Sequence, residues 1–168
     1  MSKPRIGLWL VGAKGGVATT VLTGLAALQQ KKTPPIGLVT ECEPFTQLGV
    51  VAFDEIVGGG DDIRPGPLGE EAKRMWQESR AITPDLLDAA GDLFAATEQR
   101  LRPGTIVAAG DKIASFAAPE TAALVETPRA AIERIRADLE AFRAAEGLER
   151  FFAESNNNIH QRLDQHHH

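Results

Sequence analysis

Apolar positions along this chain follow two rhythms. Ile6 to Val11 is a short unbroken apolar run, and it predicts a first strand over 5–11. Val17, Val21, Leu25 and Leu28 then recur at helical spacing and predict a helix from about Gly16 to Lys32. Lys31 and Lys32 suit the end of that helix, and Pro34-Pro35 stop it. Ile36 to Thr40 is the expected second strand, giving a βαβ-like unit with a right-handed connection. Glu41 to Thr46 is expected to be loop, and Val50 to Phe53 a short strand. Gly58-Gly59-Gly60-Asp61-Asp62 is expected to be irregular, because three glycines favour neither helix nor strand.

Further on, Leu68 to Arg80 reads as a helix entered through Pro65-Gly66-Pro67. Thr83-Pro84 marks another start, with threonine as N-cap and proline at the first helical position, and that helix is expected to reach Arg102. Thr105 to Ala109 is a candidate strand, while Ile113 to Glu126 fits no single period. Thr127-Pro128 repeats the cap-plus-proline signal. Ile132, Ile135, Leu139 and Phe142 then place one apolar face on a helix that runs to about Ala145, and Gly147 suits its C-terminal cap. A strand is expected to begin within Leu148 to Ala153, after which the sequence turns polar.

Composition narrows the class. The 168 residues suffice for one domain with a real core, and 43% hydrophobic content is ordinary for a globular chain. A net charge of −5, with Lys and Arg scattered among acidic neighbours, argues against nucleic acid as a partner. The single cysteine, Cys42, excludes an internal disulfide and suits a reducing cytoplasm. No apolar stretch approaches the roughly 20 residues of a membrane span. No His/Cys spacing suggests a metal site, and no Ser, His and Asp pairing suggests a triad. Trp9 and Trp76 are read as core or sheet-face residues. The terminal His166-His167-His168 is read as a truncated tag without function.

The candidate chemistry lies in Gly12-Ala13-Lys14-Gly15-Gly16-Val17-Ala18-Thr19-Thr20. A strand, a glycine turn and a helix N-terminus together cradle an anion: glycines let backbone amides approach it, and the helix end adds partial positive charge. Thr19 and Thr20 can add hydroxyl donors. Two ligands compete for this pattern. A dinucleotide would be gripped at the end of the second strand by an acidic residue, here Glu41, although Lys14 stands where the usual G-x-G-x-x-G has its second glycine. A nucleoside triphosphate would need a lysine directly before the Ser/Thr pair, and Ala18 stands there instead. Asp61, Asp62 and Arg64, following glycines, are either a crevice lining or a polar turn.

Taken with Gly37-Leu38-Val39-Thr40-Glu41 and Gly59-Gly60-Asp61-Asp62-Ile63-Arg64, the block from Ile6 to Thr20 resembles the N-terminal part of the inositol-3-phosphate synthase family in its bacterial form. Leu101-Arg102-Pro103-Gly104 and the helix from Thr127 to Gly147 extend the resemblance over roughly residues 5–150. It implies an α/β fold, a Rossmann-like doubly wound parallel sheet that is incomplete, and NAD as cofactor. The implied reaction converts glucose 6-phosphate to inositol 3-phosphate by oxidation, enolisation, aldol closure and reduction, on a homo-tetrameric enzyme. The implied cofactor residues are Gly12, Ala13, Lys14, Gly15, Gly16, Val17, Ala18 and Thr19 against the pyrophosphate, and Asp62 and Ile63 on the adenosine side. Residues 1–150 are thus expected to be the N-terminal part of a NAD-binding domain, and 151–168 a divergent polar tail.

The chain departs from the family at Lys14, Gly16, Val17 and Ala18 in the turn and at Asp61 before the Asp-Ile pair. From Ala153 onward the resemblance fails, and Lys14, Lys73 and Lys112 match no catalytic lysine of the family. A truncated or frame-interrupted fragment is therefore expected, binding NAD without turnover. Two other classes compete with it: a P-loop-like ATPase with a degenerate phosphate loop, and a non-catalytic interaction module that associates through an exposed sheet edge.

Overall fold

The computed structural model describes residues 5–155. The terminal histidines lie outside the described residues. In chain order the elements are β1 (Ile6–Val11), α1 (Gly16–Gln29), β2 (Ile56–Asp62), α2 (Glu70–Ser79), α3 (Pro84–Glu98), β3 (Leu101–Pro103), α4 (Asp111–Ala114), α5 (Pro119–Ala122), α6 (Pro128–Glu146) and β4 (Arg150–Ser155). Three single 3-10 turns lie between α1 and β2. The four strands form one sheet in the order β3-β2-β1-β4, and every pairing is parallel.

Alternation along β1 sends Leu10 to one face and Trp9 to the other. Leu10 packs with Ala18, Leu22 and Ala26 of α1, Ala72 of α2, and Ala90 and Phe94 of α3. Trp9 packs with Val57, Leu148 and Phe142 of α6, its ring tilted at 58° to that of Phe142 with centroids 5.4 Å apart. Helices therefore cover both faces, which makes the sheet the doubly wound α/β arrangement expected from the sequence.

The largest correction concerns β2. Gly58-Gly59-Gly60-Asp61-Asp62 is not an irregular turn but the interior strand beside β1, with Trp9 opposite Gly59 and Leu10 opposite Gly60. The glycines are there for space. A Cβ on Gly59 would lie 2.8 Å from the Phe142 ring, and one on Gly58 2.7 Å from Thr97 Oγ1. A Cβ on Gly60 would lie 2.3 Å from the backbone oxygen of Leu10. Helices α6 and α3 thus close directly onto the backbone of β2, and the lost propensity of glycine is offset by that close packing.

Other expectations change for local reasons. Ile36 to Thr40 is not a strand: Gly37 takes a left-handed conformation (φ +88°), and Val39–Glu41 forms a 3-10 turn. Ile36 is 86% exposed. Val50 to Phe53 is not a strand either. The Glu55 carboxylate accepts the Ala52 amide at 2.9 Å and bends Phe53–Glu55 into a turn. The third strand falls at Leu101–Pro103, not at Thr105 to Ala109, where Ala108 has φ +59° and Thr105 Oγ1 accepts the Val107 amide. Helix α3 accordingly ends at Glu98 rather than Arg102, and α1 ends at Gln29 rather than Lys32.

Two expected apolar faces hold in part: Leu25 on α1 and Leu139 and Phe142 on α6 pack inward, and their other members do so less or not at all. On α1 the buried positions are Ala18, Thr19, Leu22, Thr23, Leu25, Ala26 and Ala27, whereas Val17 and Val21 are exposed. On α6, Phe142 is buried and Leu139 packs beside it, while Ile132 is 68% exposed. The caps of α6 match the sequence reading. Thr127 Oγ1 accepts the Ala130 amide at 3.2 Å, and Gly147 closes the helix at φ +61°. Trp76 is half-buried and lies under the Arg80 guanidinium, 4.1 Å from its ring centroid. Strand β4 crosses residue 150 and pairs with β1 as far as Ser155.

Candidate functional site

The strand order places the site. From β1 the chain steps one way to β2 and β3, and β4 lies on the other side of β1. In such open sheets ligands bind beyond the carboxyl ends of the strands, where the direction of winding reverses. The turn that leaves β1 at that end is Gly12 to Gly15, and it delivers the chain directly into α1.

The turn is tied down from inside. The backbone oxygen of Asp61 accepts both the Gly12 and the Ala13 amides at 2.9 Å. The Gly15 amide donates to the Gly12 oxygen at 2.9 Å. Gly12 is left-handed (φ +78°), with no atom within 4 Å of where a Cβ would stand. At Gly15 a Cβ would lie 3.0 Å from the Gly12 oxygen and 3.3 Å from an Arg64 guanidinium nitrogen. A side chain at Gly15 would therefore fill the cradle.

Helix α1 begins without a cap. Its N-cap residue is Gly15, which has no side chain to accept from the first-turn amides. The amides of Gly16, Val17 and Ala18 precede the first intrahelical bond, in which Thr19 donates to Gly15. They are the donors an anion would meet, with the helix dipole behind them. The hydroxyls behave differently from the sequence expectation. Thr20 Oγ1 donates back to the Gly16 oxygen at 2.8 Å, and Thr19 is fully buried in the body of the domain. The turn thus recruits backbone rather than side-chain donors.

Lys14 also turns inward. Its Nζ donates to the Arg64 oxygen at 3.1 Å and lies 3.9 Å from the Glu98 carboxylate. That direction suits a residue that clasps two loops together, and it is not the reach of a phosphate-binding lysine. Asp62, the last residue of β2, accepts the Lys14 amide at 2.7 Å and the Arg64 amide at 2.7 Å. Ile63 follows at the lip, where its oxygen accepts the Ala118 amide at 2.6 Å. A crevice of about 170 Å³ opens here between Lys14, Asp62, Arg64, Arg102 and Glu120.

Glu41 is not brought into this assembly by a strand. It ends a 3-10 turn and is exposed, so the position from which it was expected to reach a ribose does not exist in the sheet. Asp61, which the sequence offered only as one of several crevice residues, is buried on the opposite face. There it accepts the Trp9 indole N–H at 2.9 Å, and burial pushes its carboxyl above the ordinary aspartate value. Glu71 of α2 was not signalled by the sequence. Its Oε1 lies 3.4 Å from where a Cβ on Gly16 would stand, and Arg74 beside it holds its carboxyl below the usual glutamate range, with Arg64 adding to the effect. The signal that could have found it is the Glu71-x-x-Arg74 spacing at the start of a helix.

Comparison with known proteins bears on the fold and the family. Inositol-3-phosphate synthase from Caenorhabditis elegans superposes with a TM-score of 0.65 at 20% identity, over 93% of this chain and 35% of its own. A myo-inositol-1-phosphate synthase-related protein from Thermotoga maritima matches 60% of this chain and 23% of its own, with a TM-score of 0.38 and 21% identity. The chain therefore spans about a third of the length of the Caenorhabditis enzyme. No curated protein sequence matches significantly. The family model described as myo-inositol-1-phosphate synthase, an NAD-binding model, matches residues 6–164. NAD is the cofactor of that family, and the uncapped helix and the glycine cradle fit a pyrophosphate. This chain, with its Rossmann-like parallel sheet, belongs to the myo-inositol-1-phosphate synthase family.

Proposed function

We propose that this chain binds NAD at the turn between β1 and α1 as the cofactor-binding part of an inositol-3-phosphate synthase. The pyrophosphate lies against Gly12, Lys14, Gly15, Gly16, Val17 and Ala18, with the amides of Gly16, Val17 and Ala18 as its donors, while the fully buried Ala13 and Thr19 shape the turn from within. The adenosine half extends toward the lip formed by Asp62 and Ile63. Glu41 belongs to this reading only as a residue of the exposed loop before β2. The observation that carries the proposal is the uncapped N-terminus of α1 at the winding reversal of the sheet.

Bound NAD would take up and return a hydride, so that the family's reaction is a net isomerisation of glucose 6-phosphate to inositol 3-phosphate. This chain's own residues bind and orient the cofactor. Lys14, the lysine of the turn, is committed to Arg64 and Glu98, and no described residue is assigned as catalytic. The chain by itself is accordingly proposed to bind without turnover. A cytoplasmic setting accords with the free, exposed Cys42 and with the absence, among the described residues, of any helix long and apolar enough to cross a membrane.

Calorimetric titration tests the reading, with NAD in one arm and Mg-ATP in the other. Saturable NAD heat that is lost in Gly15→Asp supports it, because the new side chain meets the Gly12 oxygen and adds a like charge beside the phosphates. Heat with Mg-ATP alone would transfer the site to the ATPase reading. An interaction module is the second reading, favoured by the exposed Ile36, Val39, Leu48 and Val50 before β2 and by Phe152 on the edge strand β4. Sedimentation over a concentration series distinguishes it, since a monomer throughout would dismiss it.

A further inference from the structure

An acidic residue at the end of the second strand of a dinucleotide-binding sheet usually accepts a hydrogen bond from the ribose. In this sheet that residue is Asp62, the last of β2. A carboxylate offers about four acceptor positions, and here all of them are engaged within the protein. Oδ2 accepts the Lys14 amide at 2.7 Å and Arg64 Nη2 at 3.2 Å. Oδ1 accepts the Arg64 amide at 2.7 Å and Arg64 Nε at 3.2 Å. The side chain is 3% exposed. Lys14 Nζ completes the clasp by donating to the Arg64 oxygen at 3.1 Å. A ribose hydroxyl would have to displace one of these partners.

We propose that Asp62 is a positioning residue for the cofactor's phosphates: it fixes the Lys14 amide, and through it the β1–α1 turn, instead of holding the ribose. The inference deepens the NAD reading above and rests on it. Its physical basis is the arrangement of the turn. Gly12 and Ala13 hang from the Asp61 oxygen, and Gly15 from Gly12, so Lys14 is the one residue of the turn whose amide is set by a side chain. Once that amide is released, Asp61 still holds Gly12 and Ala13, but the part of the turn next to the uncapped amides of α1 loses its one side-chain anchor.

Two measurements on the 168-residue chain decide the matter. The first needs no ligand: amide hydrogen exchange by NMR at Lys14, with Gly12 and Ala13 as internal references. Slow exchange at Lys14 in the native chain that becomes fast in Asp62→Ala, which removes the acceptor, while Gly12 and Ala13 stay protected, is the expected result. Free exchange at Lys14 in the native chain overturns the proposal whether or not the variant folds. The second measurement compares ligands. Asp62→Ala is expected to weaken ADP and NAD by about tenfold, the worth of a lost hydrogen bond to a charged group, while adenosine affinity changes by less than about twofold. Equal losses for adenosine and ADP would return Asp62 to the ribose and overturn the proposal. If the native chain binds neither ADP nor NAD, the cofactor reading fails and the proposal falls with it. That failure is recognised separately, because the Lys14 amide still reports the brace.

Discussion

At Gly59 and Phe142, two residues far apart in the chain decide whether the sheet closes. A methyl group at 59 would press on the Phe142 ring from 2.8 Å, inside a buried cluster with Trp9 and Leu148. Gly59→Ala is expected to cost about 1–3 kcal/mol in urea unfolding, the usual range for overpacking. Combining it with Phe142→Leu should recover part of that loss, and a double-mutant cycle that shows no coupling would disprove the contact. Gly91 offers the contrast. It lies inside α3 with open space where its Cβ would stand, so Gly91→Ala should stabilise the chain by about 0.5–1 kcal/mol. From sequence alone both glycines read as interruptions. What separates them is a neighbour that local pattern does not contain, and that is why the central strand was mistaken for an irregular loop.

Among the elements, those defined by their own ends were legible. The first strand and its glycine turn are legible because an apolar run from Ile6 to Val11 breaks at Gly12 into a glycine-rich stretch. Helix α6 was recognised because Thr127, Pro128 and Gly147 are signals read within a few residues. Thr127→Ala should lower stability by about 1 kcal/mol by removing the acceptor of the Ala130 amide, and thermal unfolding of the variant measures it. The elements that were misplaced depend on partners. Ile36 to Thr40 has strand composition, but Ile56 to Asp62 occupies the place beside β1. Val17 and Val21 have helical spacing, but Ala18, Thr19 and Leu22 face the sheet, because small residues let α1 approach it closely. The site follows the same division. The turn was visible in the sequence, whereas the inward course of Lys14 and the isolation of Glu41 required the strand order.

Across the whole molecule, acid and base dependence combine terms of opposite sign. The Asp61 carboxyl is raised, first by burial, despite the hydrogen bond from Trp9. The folded chain therefore holds this proton more readily than the unfolded one. Its contribution favours folding below the ordinary aspartate value and is withdrawn as pH climbs from there to the raised value. Glu126 and Glu146 behave oppositely. Hydrogen bonds from Arg134 and Arg100 hold them below the usual range, so their contribution is complete above the ordinary glutamate value and is lost as pH falls through the lowered ones. Urea midpoints followed against pH should show the Asp61-dependent decline in the native chain and not in Asp61→Asn, whose side-chain oxygen still accepts from Trp9. A midpoint for that variant below the native one at pH 7 would contradict the assignment.

The end of β2 has a mechanical consequence. Three successive carbonyls there each hold a different loop: Asp61 the turn after β1, Asp62 the Gly104 amide after β3, and Ile63 the Ala118 amide at the start of α5. The three segments thus share one anchor bar, and their mutual spacing is set by the rise of a single strand instead of by their own sequences. Replacements in the turn and in the first turn of α1, such as Lys14 and Ala18 in this chain, can then alter what the segment displays without shifting where it stands.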